Sequence, residues 1–366
     1  MKLFICTYCG QLLQFENTRC ERCGHKLGFI TDGLQLLPLI EENGLYKLFN
    51  DRSETSYRYC DNHVYDVCNW LVEDKSAARY CTACSLNQTI PDLNKLEYRQ
   101  RWSVIEAAKH RLIYTLLRMN LPLLSKQTDP ANGLSFDFMA DEQNSEQKIM
   151  TGHDNGLITL NIAEADDVER EMARRSMVEA YRTVLGHFRH EVGHYYWDRL
   201  IDGTPNLEPY RKLFGDDRLD YGEALKTHYS EGAPADWNEH FISTYASTHP
   251  WEDWAETWAH YMHIIDTLET AYAFGLSINP GVVPNASGLS TVIKADPLSL
   301  QNFDDIISMW LPLVFAMNSL NRSMGQPDLY PFVIPAKVIG KLKFIHEVCL
   351  RAGKDKEKQH KDKLVP

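Results

Sequence analysis

His190-Glu191-Val192-Gly193-His194 decides how the rest of this 366-residue chain is read. On an α-helix, residues i and i+4 share a face with Cβ atoms roughly 5–6 Å apart. His190 and His194 can therefore reach one tetrahedral metal while Glu191 leans over the open coordination position. This is the H-E-x-x-H arrangement, two imidazoles holding zinc beside a carboxylate that can take a proton from water. Five positions with three fixed also recur by accident on surface helices, so the surrounding sequence has to decide.

That context is helical. Between Asp167 and Leu200 there is no proline, and Gly186 is the single glycine ahead of the motif. Met177, Val178, Tyr181, Val184, Leu185, Phe188, Val192, Tyr195 and Tyr196 recur at near-helical spacing, which predicts one long helix through the motif. Upstream, Gly156 to Ile162 alternates apolar and polar residues as an edge strand does. A sheet edge ahead of such a helix suits a cleft that pairs with an extended peptide.

Two histidines leave a zinc site incomplete, because catalytic zinc usually takes three protein ligands and a water. Position 197 is Trp and position 200 is Leu, so the extended motif with a further glycine and histidine is absent. The best source of a third ligand is Pro250-Trp251-Glu252-Asp253-Trp254-Ala255-Glu256-Thr257-Trp258-Ala259-His260. Proline followed by acids opens a helix well, and Glu252 and Glu256 then stand at i and i+4. One acid can bind metal while the other hydrogen-bonds a ligating histidine. Asp253 points about 100° away from Glu252 and reads as a cap or surface charge. His187, His260 and His263 read as packed or solvated, and Asp198 is placed to brace His194. Trp251, Trp254, Trp258 and Tyr196 read as core before they read as pocket lining.

The run Tyr245 to Glu256 resembles the corresponding segment of gluzincin peptidases of the anthrax lethal factor type. That resemblance implies Glu252 as the third zinc ligand, Glu256 as the support of a ligating histidine, and Tyr245 as a hydroxyl facing the developing oxyanion. His-Glu-Val-Gly-His-Tyr-Tyr-Trp at 190–197 and Cys-Asn-Trp-Leu-Val at 68–72 are similar to a bacterial family of zinc-binding metallopeptidases with an N-terminal zinc ribbon. This similarity runs over residues 1 to about 345 and implies a gluzincin-like catalytic domain.

Of nine cysteines, eight form two sets of four. Cys6-x-x-Cys9-Gly10 and Cys20-x-x-Cys23-Gly24 are paired knuckles, in which glycine permits the tight turn that brings amides to thiolates. Their spacing predicts a zinc ribbon, and with no secretory segment expected ahead of them disulfides are not favoured. Cys60, Cys68, Cys81 and Cys84 predict a second structural zinc, with His63 as a competing ligand that is set aside. Cys349 reads as a buried small hydrophobe.

With 50 acidic against 38 basic residues and a formal net charge of −12, the chain has no global attraction to a phosphate backbone. The ribbons are expected to staple a small module or to dock a protein partner rather than read nucleic acid. Lys2, Arg19, Arg22 and Lys26 nevertheless give the first ribbon local positive charge. At 44% hydrophobic and 24% charged the composition is that of a soluble protein. Apolar runs such as 309–315 are too short to span a membrane, and reduced thiols suit a cytoplasmic location.

The fold expected is α+β: N-terminal zinc ribbon modules, then a mainly helical zincin-like metallopeptidase domain with a small sheet. Residues 1–35 are assigned to the ribbon, 36–94 to the second four-cysteine region, 95–350 to the catalytic domain and 351–366 to a disordered tail. Helices are expected over 94–124, 207–213, 221–229, 300–320 and 335–350, with strands at 134–138 and 157–162. The cofactors expected are one catalytic and two structural zinc ions, and the partner a peptide or protein substrate. Zinc held by His190, His194 and Glu252 would lower the pKa of a water toward about 7, with Glu191 as general base. The competing expectations are a catalytically silent zincin scaffold and a binding factor acting through its ribbons.

Overall fold

The computed structural model describes residues 3–141, 149–176, 182–281 and 287–364. Part of the apolar series expected to run through the motif helix, Met177 to Tyr181, lies outside them. The chain divides into two compact units, one of Met1–Arg118 with Leu123–Glu169 and one of Met119–Pro122 with Arg170–Pro366.

In the first unit, strands β1 (Phe4–Ile5) and β2 (Leu12–Leu13) pair antiparallel on either side of the first knuckle. Gly10 and Gly24 adopt φ of 75° and 76°, and each donates its N–H to the carbonyl of the first cysteine of its knuckle at 2.8 Å. Strands β3 (Leu27–Ile30), β4 (Gln35–Glu42), β5 (Leu45–Leu48), β6 (Tyr57–Tyr59) and β7 (Leu71–Glu73) form one antiparallel sheet in sequence order. The expected boundary after residue 35 falls inside β4, so this sheet runs through both cysteine regions. Phe29 bridges to Trp70 just before β7, which curls the sheet back on itself. Gly28 makes that approach possible, since a β-carbon there would lie 2.6 Å from the Leu71 side chain. Leu39, Leu48 and Leu71 centre the small core, with Ile30, Leu37, Tyr46, Tyr57 and Tyr59 against it.

Helix α1 (Leu96–Arg118) is shorter than expected and buries Trp102, Ile105, Leu112, Ile113 and Leu116. Strands β8 (Asn87–Thr89), β9 (Ser135–Met139), β10 (Gly152–Asp154) and β11 (Leu157–Asn161) make a second sheet in the order β10-β11-β9-β8. The expectation of an edge strand over 156–162 is overturned. β11 pairs antiparallel with β10 and parallel with β9, so both its edges are used. Asn155-Gly156, with φ of 47° and 85°, turns the chain between β10 and β11. Such a turn supplies the neighbour that alternation alone does not reveal.

Helix α2 (Asp167–Ser176) ends before the motif helix α3 (Val184–Leu200) begins. The single long helix expected over 167–200 is thus corrected to two. Thr183 is extended at φ −139° and ψ 155°, and its side chain accepts from the Gly186 N–H, the N-cap that starts α3. There follow α4 (Leu207–Phe214), α5 (Tyr221–Glu231), α6 (Trp237–His240) and α7 (Pro250–Ala273). Then come a short antiparallel pair, β12 (Ser277–Ile278) with β13 (Thr291–Val292), and the helices α8 (Phe303–Ser323) and α9 (Ala336–Leu364).

Helix α7 is the centre of the second unit, burying Trp254, Ala255, Trp258, Tyr261, Ile264, Ile265 and Leu268 on several faces. Asp253, read as a cap or surface charge, is instead fully buried and ion-paired to Lys341 of α9 at 2.5 Å. The tail after Arg351, expected to be disordered, continues α9 to Leu364. Its charged sequence is held by backbone contacts: Asn120 Nδ2 donates to the Gly353 carbonyl and Lys356 Nζ to that of Leu121, each at 2.9 Å. No helix among the described residues is long and apolar enough to cross a membrane.

Candidate metal centres

Helices α3 and α7 meet where one of them has no side chain. A β-carbon on Gly193 would stand 3.0 Å from Ala255 Cα and 3.3 Å from the Ala255 carbonyl oxygen. Trp254 Nε1 donates to the Gly193 carbonyl at 2.9 Å and fixes the register of the pair. This close approach carries Glu252 in the first turn of α7 to the two histidines of α3. The α7 start is set by His249, whose side chain accepts from the Trp251 N–H, and by Pro250 in the first turn.

The three ligand atoms then converge. His190 Nε2 lies 3.2 Å from His194 Nε2 and 3.1 Å from Glu252 Oε2, and His194 Nε2 lies 3.5 Å from the same oxygen. A tetrahedron with zinc bonds of about 2.0–2.1 Å has edges of about 3.3–3.4 Å, so the spacing suits one zinc. His190 Nδ1 is 2.7 Å from Glu256 Oε1, which fixes its proton there and leaves the Nε2 lone pair for a metal. Glu252 Oε2 is buried and makes no hydrogen bond. An orphaned carboxylate oxygen facing two imidazole nitrogens is the arrangement a cation satisfies.

The electrostatics agree. Burial pushes the His190 imidazolium down, but Glu252 and Glu256 more than offset it and hold the ring well above its ordinary value. Glu256, though half-buried, is drawn down to about 2 by its bond to His190 and the Ser243 hydroxyl. Ser243 Oγ donates to Glu256 Oε2 at 2.6 Å, so both oxygens of the supporting acid are held.

Glu191 is 8% exposed, and no hydrogen bond or ion pair among the described residues engages its carboxylate. Tyr245 is half-buried, with its ring 6.0 Å from that of His190. Trp251 lies over His194 at 3.7 Å between ring centroids, whereas Trp254, Trp258 and Tyr196 are core. Asp198 feels the His194 charge, but burial dominates and raises it to about 6. His260 is taken up by the Tyr330 hydroxyl at 2.7 Å and His263 by Arg189 at 2.6 Å, both away from the ligands. Cys349 is buried, as expected of a small hydrophobe.

Sequence reasoning missed Tyr221. Its hydroxyl donates to Glu252 Oε1 at 2.7 Å from the first turn of α5. No spacing rule links it to the motif, since it reaches the ligand only through the fold. Ser243 was missed for the same reason.

In the first unit, Cys6, Cys9, Cys20 and Cys23 converge, with Sγ separations of 3.7 Å for Cys6–Cys23 and 3.6 Å for Cys9–Cys20. Zinc–sulfur bonds of about 2.3 Å give edges of about 3.8 Å. Cys60, Cys68, Cys81 and Cys84 form a second, fully buried set, with Cys68 and Cys81 sulfurs 3.7 Å apart. His63 is outside it: its Nδ1 meets the Cys68 carbonyl at 2.7 Å and its ring stacks on Tyr59. Behind Cys84 lies a polar cluster the sequence did not announce. His110 Nε2 stands 3.5 Å from Cys84 Sγ, and Lys109, fully buried, pairs with Glu106 at 2.9 Å. Glu106 Oε2 also lies 3.9 Å from Cys84 Sγ, and although burial pushes the His110 imidazolium down, Cys84 and Glu106 more than offset it and raise the ring above its ordinary value.

Comparison with known proteins agrees with this geometry. Residues 98–348 match a family described as "Putative zinc-binding metallo-peptidase", and residues 3–95 match a zinc-ribbon domain family. Two relatives, uncharacterized proteins of Mycobacterium bovis and Mycobacterium tuberculosis, are each 40% identical to the chain over 366 residues, covering 100% of both sequences. No solved structure matches the chain.

Proposed function

We propose that this chain, which belongs to the zinc-binding metallo-peptidase family matched over residues 98–348, hydrolyses peptide bonds in a peptide or protein substrate. The observation that carries the reading is the convergence of His190, His194 and Glu252 while the neighbouring Glu191 carboxylate remains unengaged. A zinc ion held there would supply a Lewis acid and lower the pKa of a water toward about 7. Glu191 would take a water's proton on a carboxylate oxygen and later deliver it to the leaving amine. Glu256 holds the His190 ring through Nδ1, with Nε2 facing His194 Nε2 and Glu252 Oε2. Tyr245 donates its hydroxyl proton toward the developing oxyanion, a contribution commonly on the order of 10²–10³ in rate.

The zinc ribbon modules are assigned a structural role, stapling a unit whose core is small, with docking of a protein partner as a further use. The test of catalysis is a digest of an unbiased peptide library by the zinc-loaded protein and by its Glu191→Gln form. Cleavage by the first and a loss of about 10²–10⁴ in the second is the expected result. Equal cleavage by both forms would refute the role of Glu191.

A further inference from the structure

We propose that Tyr221 is a positioning residue of the metal centre, confining Glu252 to ligation through one oxygen so that the fourth coordination direction stays open. This rests on the zinc-centre reading above. The two oxygens of Glu252 face different surroundings. Oε1 accepts from the Tyr221 hydroxyl at 2.7 Å, whereas Oε2 lies 3.1 and 3.5 Å from the two imidazole nitrogens and has no hydrogen bond. A carboxylate free to rotate can offer both oxygens to a cation and fill the position that a water needs. A hydrogen bond to an ionised oxygen is roughly twice as strong as a neutral one and opposes that rotation.

Tyr221 is itself held in place. It is the first residue of α5, preceded by Asp220, whose side chain accepts from the Glu223 N–H. His249 accepts the Trp251 N–H at Nδ1, so its proton is on Nε2, which donates to the Leu219 carbonyl at 3.1 Å. The starts of α5 and α7 are thereby tied together. The Tyr221 ring stands edge-on to Trp251 at 5.7 Å, and Trp251 in turn covers His194. Helix α5 buries none of its residues, so little besides its first turn locks it to the centre.

The substitution Tyr221→Phe keeps the ring and removes the hydroxyl. The full chain, with zinc in both cysteine sites, is titrated with Zn²⁺ against a chromogenic chelator to give the affinity of the third ion. Co²⁺ is then placed in that site and its visible absorption recorded. The expected result is a roughly 10–100-fold loss of Zn²⁺ affinity. A weaker cobalt band is also expected, as the freed carboxylate raises the coordination number, with both cysteine-held ions retained. Wild-type affinity and an unchanged cobalt spectrum in Tyr221→Phe would overturn the proposal and leave the metal centre standing. A wild-type chain that binds no third ion would instead remove the zinc-centre reading, and the proposal with it.

Discussion

Gly193 is where the account is most exposed to a single substitution. In Gly193→Ala the new β-carbon would sit 3.0 Å from Ala255 Cα and 3.3 Å from both the Ala255 carbonyl oxygen and Trp258 Cβ. Ordinary carbon contacts lie at about 3.5–4.0 Å, so α3 and α7 must part by roughly half an ångström. Overpacking of this kind costs about 1–3 kcal/mol. Alanine regains about 0.8–1.0 kcal/mol of helix propensity. A net loss of about 1 kcal/mol follows, or about 2–4 °C in melting temperature for a unit of this size. The effect on metal is larger. His190 and His194 are separated from Glu252 Oε2 by 3.1 and 3.5 Å, close to the edges of a zinc tetrahedron. Metal–ligand distances tolerate only about ±0.2 Å. Thermal melts and chelator competition on the variant should show a modest drop in melting temperature, and a loss of third-zinc affinity of about tenfold or more, on the scale of disturbed outer-shell support. A variant that melts at or above wild type and binds the third zinc unchanged would refute the claim that close helix approach builds the site.

Glu256→Gln should weaken the third zinc about 10–100-fold by taking the anionic acceptor from His190 Nδ1, and Ser243→Ala should weaken it less; isothermal titration with Zn²⁺ ranks the two. A mild chelator should strip one zinc quickly and two slowly, because the histidine site keeps an open position while both cysteine sites are closed; stopped-flow release with a zinc indicator would show two phases. His110→Ala removes a group 3.5 Å from Cys84 Sγ and should speed loss of the second cysteine-held zinc without affecting the histidine site. Gly28→Ala should destabilise the first unit by about 1–3 kcal/mol in a denaturant titration, since its β-carbon would meet Leu71 at 2.6 Å.

The parts of this molecule that the sequence exposed are those whose function imposes a spacing. The i, i+4 histidines and the paired knuckles must follow a fixed local geometry, so they can be read directly. Glu252 and Glu256 were legible because a proline and an acidic first turn announced their helix. Tyr221, Ser243 and His110 were not, since each reaches its partner through tertiary packing and has no fixed distance along the chain. The strand at 157–161 shows a second limit: alternation reports that a strand is half-buried, but its neighbours come from a turn and from β9, far back in the sequence. Likewise Thr183 interrupts an apolar series that periodicity alone would continue. The tail after Arg351 is a third case, where a charged, weakly apolar segment stays helical because the 119–121 segment supplies its contacts.

The central claim is that α3 and α7 bring three side chains to one zinc. Crystals of the protein purified without added metal, measured on either side of the zinc absorption edge, test it directly. The account predicts three anomalous peaks per chain, two among the cysteine sets and one bounded by His190 Nε2, His194 Nε2 and Glu252 Oε2. Peaks at the cysteine sets alone, with Glu252 turned away from both imidazoles, would contradict it.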